Sequence, residues 1–267
     1  MNHTAKIDQA PSLAVDRYAS VGQYSKAQVL GAWAATAVPM GVLAWFGAPW
    51  LSHRIGGRDP LIEALLICFL IGLVWQLGLV LIMVRREQKG LQWTRVRDAL
   101  WLRSLKDPKT GRTGGKLWWW TVPFVVISAG LNALPGLTPV GPVPRDLPHT
   151  LELARGRLEH LFNGNWAIFA LFVVVVFMAP LTEELFFRGL LLPRMRTAFG
   201  RGDIFVNGVL FGIYHLHQPW SAPSSVVDGI ITQAYPARRF QSTWIGIITH
   251  TLPSFVIVGA VLPLVIS

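Results

Sequence analysis

The chain reads as an all-α protein, a polytopic transmembrane helical bundle of about seven spans, within a range of six to eight. Three observations lead there. The composition is 52% hydrophobic and only 14% charged, with a mean hydropathy of +0.44, whereas soluble domains carry about 25% charged residues. The apolar residues fall into runs long enough to cross a hydrocarbon core about 30 Å thick. The basic residues behind the net charge of +10 lie between those runs, as the positive-inside rule requires, instead of forming the single patch of a nucleic-acid-binding protein.

In chain order, residues 1–26 form a polar tail without sustained apolar periodicity and without the plan of a cleavable signal. The tail is expected to be flexible and cytoplasmic. Residues 27–164 make an N-terminal transmembrane region. Its first span runs from about Ala27 to Leu51, kinked at Pro39, with Trp45 and Trp50 suited to an interface. A second span covers about Leu61 to Val84, with Gln76 as its central polar residue and Cys68, the sole cysteine, as a packing residue.

Between Arg85 and Lys116 the chain carries ten basic residues against Glu87, Asp98 and Asp107. This loop, 85–116, is expected on the cytoplasmic side. Within it Leu91, Trp93, Val96, Leu100, Trp101 and Leu105 suggest a basic amphipathic helix lying on anionic lipid. A third span, from Leu117 to about Leu137, opens on Trp118-Trp119-Trp120. The proline-rich loop that follows carries His149 and His160, both read as surface histidines.

Residues 165–267 form the last region, whose fourth span begins near Trp166 and ends near Leu192. A fifth covers about Ile204 to His217. A sixth, shorter one from about Ser224 to Tyr235 contains Asp228 and Gln233, and a seventh runs from about Thr243 to Ile266. Alternation of sides then gathers the amino terminus, the 85–116 loop, the 193–203 turn and Arg238-Arg239 in the cytoplasm. A re-entrant sixth segment would move the carboxyl terminus to the other side.

The fourth span holds the chemistry. Seventeen uncharged residues from Trp166 to Thr182 end in Glu183, Glu184 and, one turn on, Arg188. Ionisable groups at membrane depth cost about 2.5–3.5 kcal/mol each on insertion scales, which makes them functional candidates. Glu184 and Arg188 share a helix face in the favourable order and can pair. Glu183 points about 100° away and lacks that cation, so it is the better reactive carboxylate. His215 stands one turn after Phe211, and His250 one turn before Ser254. At about 1.5 Å per residue, Glu183, His215 and His250 lie roughly 12–22 Å deep, so the three can meet. His217, about 200° from His215, is read as interfacial, and Asp228 stays ambiguous.

Glu183-Glu184-xxx-Arg188-Gly189, Phe211-xxx-His215 and His250-xxx-Ser254 resemble the three signature motifs of the CAAX protease and bacteriocin-processing family of intramembrane endopeptidases. The likeness extends over Thr182–Arg194, Phe211–Leu216 and Ser242–Ser254. It implies hydrolysis of a peptide bond in a membrane-associated protein or peptide, in an integral protein of the plasma (inner) membrane. Glu183 would activate water, His215 would assist, and His250 would stabilise the oxyanion, with Glu184 and Arg188 as the brace. Phe211 and Ser254 would support the site. Ser254 departs from the family, which usually has Asn or Asp there. No cofactor is favoured; the alternative is zinc held by Glu183, His215 and His250, a set without the HExxH pair of zinc proteases. Two competing classes are a non-catalytic family member acting as a membrane scaffold or bacteriocin-immunity protein, and a proton-coupled transporter, the latter disfavoured by the lack of an internal repeat. The partners expected are the bilayer and a membrane protein or peptide, with no nucleic acid.

Overall fold

The computed structural model describes residues 21–133, 151–217, 219 and 221–266. Most of the 1–26 tail, the end of the third expected span and His149 lie outside the described residues. The regular elements of the described residues are all helices, with one isolated bridge between Lys106 and Thr113 and no β-strand among these residues. Four helices have the length and apolarity to cross a membrane: α1 (Lys26–Ser52), α2 (Pro60–Gln88), α6 (Trp166–Arg194) and α9 (Trp244–Ile266). Their limits fall within four residues of those read from hydropathy. Between them lie α3 (Trp93–Ala99), α4 (Thr121–Ala133), α5 (Leu151–Phe162), α7 (Asp203–Tyr214) and α8 (residues 222–240).

Helix starts follow local side-chain chemistry. Ser25 forms a capping box with Gln28 at α1, Asp59 accepts from the Ile62 N–H ahead of Pro60 at α2, and Asn165 accepts from the Ile168 N–H at α6. Lys89, in the left-handed region at φ 53°, ends α2. Among the prolines inside helices, Pro39 and Pro180 each leave a carbonyl without its ladder partner, and in both cases a neighbouring helix supplies one. Pro39 has no N–H for the carbonyl of Ala35, and the Trp75 indole N–H of α2 donates to that oxygen at 2.8 Å. Pro180 likewise leaves the carbonyl of Val176 free, and the Ser254 hydroxyl of α9 donates to it at 3.0 Å. In hydrocarbon, where water is absent, such substitutes keep a kinked helix viable.

One end of the bundle is assembled around Arg194, which is buried with an ion pair to Glu87 at the end of α2. The same guanidinium donates to the carbonyls of Leu190 at 2.7 Å and Ala99 at 3.1 Å. The tail does not simply trail away: Tyr24 N–H donates to the Arg194 carbonyl at 2.9 Å, and Gln23 donates to Pro193 O at 3.0 Å. This part of the tail is therefore docked, because the Tyr24 N–H and the Gln23 side-chain amide find carbonyl partners at the carboxyl end of α6.

The basic loop also departs from expectation. Its helix is seven residues long, and Leu100, Trp101 and Leu105 are buried against the protein instead of facing lipid. Thr243 draws the segment inward, its hydroxyl donating to Leu100 O at 2.7 Å and its N–H to Trp101 O at 2.9 Å. Lys106 N–H donates to Phe240 O at 2.9 Å. Leu105 joins Phe124, Leu192, Ala237 and Ile245 in a small core. The segments that the charge pattern puts on one side thus meet at one end of the bundle. At the other end Arg58 bonds the carbonyls of His160 and Asn163, Arg157 pairs with Asp59, and Gly164 N–H reaches Val265 O at 3.0 Å. The carboxyl end of α9 therefore lies opposite the start of α1.

The fifth and sixth expected spans are an antiparallel hairpin, α7 and α8, which leaves and returns at the Arg194 end, where Asp203 pairs with Arg238. The two helices nearly touch. A Cβ on Gly208 would lie 2.2 Å from the Ile230 side chain, and one on Gly212 would lie 2.8 Å from Ala222 O. The tip, at His217, packs edge-on against Phe69 with ring centroids 5.3 Å apart. Phe69 is nine residues, about 14 Å, from the far end of α2, so the hairpin stops inside the bundle. Neither arm matches the spanning length and apolarity of the four long helices, because a 3-10 turn and Pro219 interrupt the first, and Asp228, Arg238 and Arg239 charge the second. α4, at 13 described residues, is also shorter than they are. Outward-facing residues of the long helices stay exposed, among them Phe46 at 72% and Val256 at 73%, an apolar surface suited to lipid.

Because the α7–α8 contact leaves no room for a side chain, Gly208→Val is expected to lower stability by about 3 kcal/mol or more. Thermal unfolding in detergent would show it as a reduced midpoint; an unchanged midpoint would contradict this packing.

Candidate active site

Glu183 and Glu184 close the regular part of α6. From Leu185 to Leu191 the helix widens into a π-helical stretch, a form frequent at functional sites. Glu184 and Arg188 are both fully buried and pair at 2.9 Å, as the four-residue spacing predicts. The second Arg188 amino group donates to the carbonyl of Gly229 in α8 at 3.1 Å. The guanidinium also lies over the Phe211 ring, 4.2 Å from its centroid. Two glycines permit these approaches. A Cβ on Gly229 would stand 2.8 Å from Phe211 and 3.1 Å from Arg188, and one on Gly246 would stand 2.2 Å from Glu184 Oε2.

His250 joins both carboxylates. Its Nδ1 is 3.3 Å from Glu184 Oε1, and its Nε2 is 3.9 Å from Glu183 Oε2. A carboxylate accepts, so Nδ1 carries the hydrogen in this contact. Glu184 therefore does more than balance Arg188: it orients the imidazole so that its other nitrogen turns toward Glu183. His215 is oriented by its own helix, with Nδ1 2.9 Å from the carbonyl of Phe211. A carbonyl can only accept, which leaves Nε2 of a neutral His215 as the acceptor nitrogen. Phe211 lies beside both rings, 4.7 Å from His215 and 5.8 Å from His250.

Glu183, His215 and His250 line one cavity of about 990 Å³, bounded by α1, α2, α4, α6, α7, α8 and α9, with Phe211 and Ser254 also in its wall. The wall surface is mainly apolar, with Val125, Val175, Leu252 and Phe255 contributing, and Ser128, Ser224 and Ser225 add hydroxyls to it, a mixture common for ligand sites. Asp228 lines it too, with one oxygen accepting from Thr232 at 2.6 Å and the other from Gln233 at 3.2 Å. The Ser254 hydroxyl is committed to the Val176 carbonyl. Among the described residues no three His, Cys, Asp or Glu side chains gather as metal ligands do. The zinc set Glu183, His215 and His250 does not fit on that geometry.

His217 corrects the expectation of an interfacial residue. It lines the cavity, and its ring stacks on His215 with centroids 5.5 Å apart and planes at 28°. The α-helical angle of 200° did not apply, because residues 215–217 tighten into a 3-10 turn, which rotates successive residues by about 120°. Tyr214 and Gln76 are site neighbours that helix periodicity does not single out. The Tyr214 hydroxyl donates to Gln76 Oε1 at 3.0 Å, and the Gln76 amide reaches Thr182 O, next to Glu183, at 3.4 Å. A lone glutamine in the middle of α2 was the available signal.

The fold and site together define a membrane-embedded helical protein with a buried carboxylate–histidine centre. Residues 165–256 match the family model described as Type II CAAX prenyl endopeptidase Rce1-like. The resemblance to the CAAX protease and bacteriocin-processing family, a family of membrane proteases, therefore holds for this part of the chain, which contains every residue of the three motifs. No curated protein and no solved structure gives a match.

The Pro180–Ser254 arrangement makes a double-mutant test. Ser254→Ala should reduce stability by about 1 kcal/mol, the worth of one hydrogen bond. In Pro180→Ala the helix regains the N–H for Val176 O, and the added effect of Ser254→Ala should shrink toward zero. Equal effects in both backgrounds, read as thermal midpoints, would disprove the link. Arg188→Met should cost about 3–5 kcal/mol, because Glu184 is left buried without its cation; detergent-solubilised yield and midpoint would report it.

Proposed function

We propose that the protein is an intramembrane endopeptidase that hydrolyses a peptide bond in a membrane-associated protein or peptide. The observation that carries this reading is His250, held by Glu184 through Nδ1 and turned toward Glu183 through Nε2, in the wall of a largely apolar cavity. The match of residues 165–256 to a prenyl-endopeptidase family model supports it.

In this mechanism Glu183 takes a proton from water as the oxygen attacks the carbonyl carbon. His215 Nε2 accepts a hydrogen bond from the same water and orients it. The developing oxyanion is met by the Nε2–H of a protonated His250, whose Nδ1–H is held by Glu184, so the donor needs no reorganisation at that moment. Glu183 then returns its proton to the departing amide nitrogen, which leaves as the amine. Arg188, Gly229 and Gly246 hold Glu184 in register, and the step uses no metal. The protein would sit in the plasma (inner) membrane with its amino terminus, the 85–116 loop and the Arg238-Arg239 turn in the cytoplasm, on the strength of their charge.

Ser254 favours a second reading, a non-catalytic membrane scaffold or immunity protein, because its hydroxyl is bound to Val176 O and is not free to serve the oxyanion. The two readings part on one variant. In an enzyme Glu183→Gln should lower kcat/KM by at least about 100-fold, with His215→Ala comparable and both proteins still folded. The measurement is comparative proteomics of membrane-peptide termini, followed by rate assays on the substrate found. If both variants cleave that substrate at the wild-type rate, the protease assignment fails; if Glu183→Gln retains the protein's cellular phenotype, the scaffold reading prevails.

A further inference from the structure

A second cavity, of about 640 Å³, lies at the Arg194 end of the bundle and is lined by Arg97, Arg103, Lys106, Trp118 and Trp244 together with the carboxylate of Asp98. It belongs to the basic loop and shares no lining residue with the Glu183 cavity. Its frame is built. Lys106 and Thr113 face each other across the bridge of a tight loop, closed by Gly114 N–H to Leu105 O at 2.9 Å and Asp107 N–H to Arg112 O at 2.9 Å. Asp107, the nearest other carboxylate in the loop, is spent on that turn. It accepts from Lys109 N–H at 2.8 Å and the Thr110 hydroxyl at 2.9 Å, which hold its carboxyl below the ordinary range. Asp98 is engaged by Arg97 at 3.1 Å.

Arg97 and Asp98 offset each other, which leaves Arg103 and Lys106 as the net charge of the cavity. Arg103 is anchored by Nε to Gln241 O at 3.1 Å. Burial lowers its pKa from the ordinary arginine value, a penalty that a bound anion would relieve. Lys106 is exposed and has no acidic partner among the described residues. Trp118 and Trp244 flank these cations, and neighbouring Trp119 is 74% exposed. Tryptophans cluster where lipid headgroups meet hydrocarbon, and Trp244 is the first residue of the spanning helix α9. The cavity is therefore at the level of the phosphates of the surrounding leaflet.

We propose that this cavity binds the phosphate of an anionic phospholipid, with Arg103 and Lys106 on the phosphate, Arg97 at the rim and Trp118 and Trp244 along the upper acyl chains. An acidic peptide would supply the anion but not a use for the two indoles. The same phosphate chemistry could come from free phosphate, so the test includes both sources.

The protein purified in a neutral detergent would be titrated with short-chain phosphatidylglycerol, short-chain phosphatidylcholine and inorganic phosphate. Three forms would be compared: wild type, Arg97→Gln/Lys106→Gln, and a control, Arg85→Gln/Arg86→Gln, that removes the same charge outside the cavity. Each basic side chain at an anionic surface contributes about a fivefold factor. The cavity variant should therefore bind phosphatidylglycerol about 25-fold more weakly at an unchanged thermal midpoint, whereas the control keeps wild-type affinity at the site. Phosphatidylcholine and inorganic phosphate should bind at least tenfold more weakly than phosphatidylglycerol. Equal losses in both variants would reduce the effect to diffuse charge and overturn the site. Wild-type affinity in the cavity variant, or inorganic phosphate binding as tightly as the lipid, would overturn it as well.

Discussion

Glu184 and Arg188 are an ion pair with no solvent exposure on either side chain, inside a helix otherwise made for hydrocarbon. Removing two charges from water carries a desolvation penalty of several kcal/mol per ion, which their attraction offsets only when geometry is close and further hydrogen bonds are made. The surrounding structure follows from that condition. Gly229 offers its carbonyl to Arg188, Gly246 leaves space for the carboxylate, Phe211 lies against the guanidinium, and His250 donates to Glu184. Four helices, α6 to α9, converge on one pair.

That convergence orients the reactive groups. A histidine free in a cavity could turn, and a glutamate one residue from an arginine could pair with it. Here Arg188 is used by Glu184 and Gly229, and each site histidine has its Nδ1 occupied, His215 by Phe211 O and His250 by Glu184. Glu183 and the Nε2 atoms are what the cavity has left for chemistry. Proline acts alongside: Pro180, one turn before Glu184, leaves open in α6 the carbonyl that α9 closes through Ser254. The same polar economy that keeps the helices viable in lipid therefore ties together the helices that carry Glu183 and His250.

The basic end of the bundle has a different logic. Its cations divide into buried ones paired with carboxylates, Arg194 with Glu87 and Arg238 with Asp203, and exposed ones such as Lys106, so they serve packing and recognition together. Arg194 spends its guanidinium on α2, α3 and its own helix end, while the loop beyond α3 folds back onto α8 and α9. Side chains read as the lipid-facing stripe of a surface helix, Leu100, Trp101 and Leu105, become core. Burial inside protein and burial in lipid call for the same residue types, and sequence alone does not distinguish them.

The four long helices were legible because apolar runs of that length have one use, and their caps at Ser25, Asp59 and Asn165 are local chemistry. The Glu184–Arg188 pair was legible too, since a four-residue spacing puts both side chains on one face whether the turn is α or somewhat wider. Tertiary structure alone decided that Glu184 rather than Glu183 holds His250 at hydrogen-bonding distance, that His217 turns in to stack on His215, and that Ser254 serves a proline-freed carbonyl. It also decided that α7 and α8 fold as a hairpin stopping within the bundle. Each of these depends on a partner dozens of residues away or on a helix leaving α geometry, and periodicity, which assumes a regular helix, carries neither kind of information.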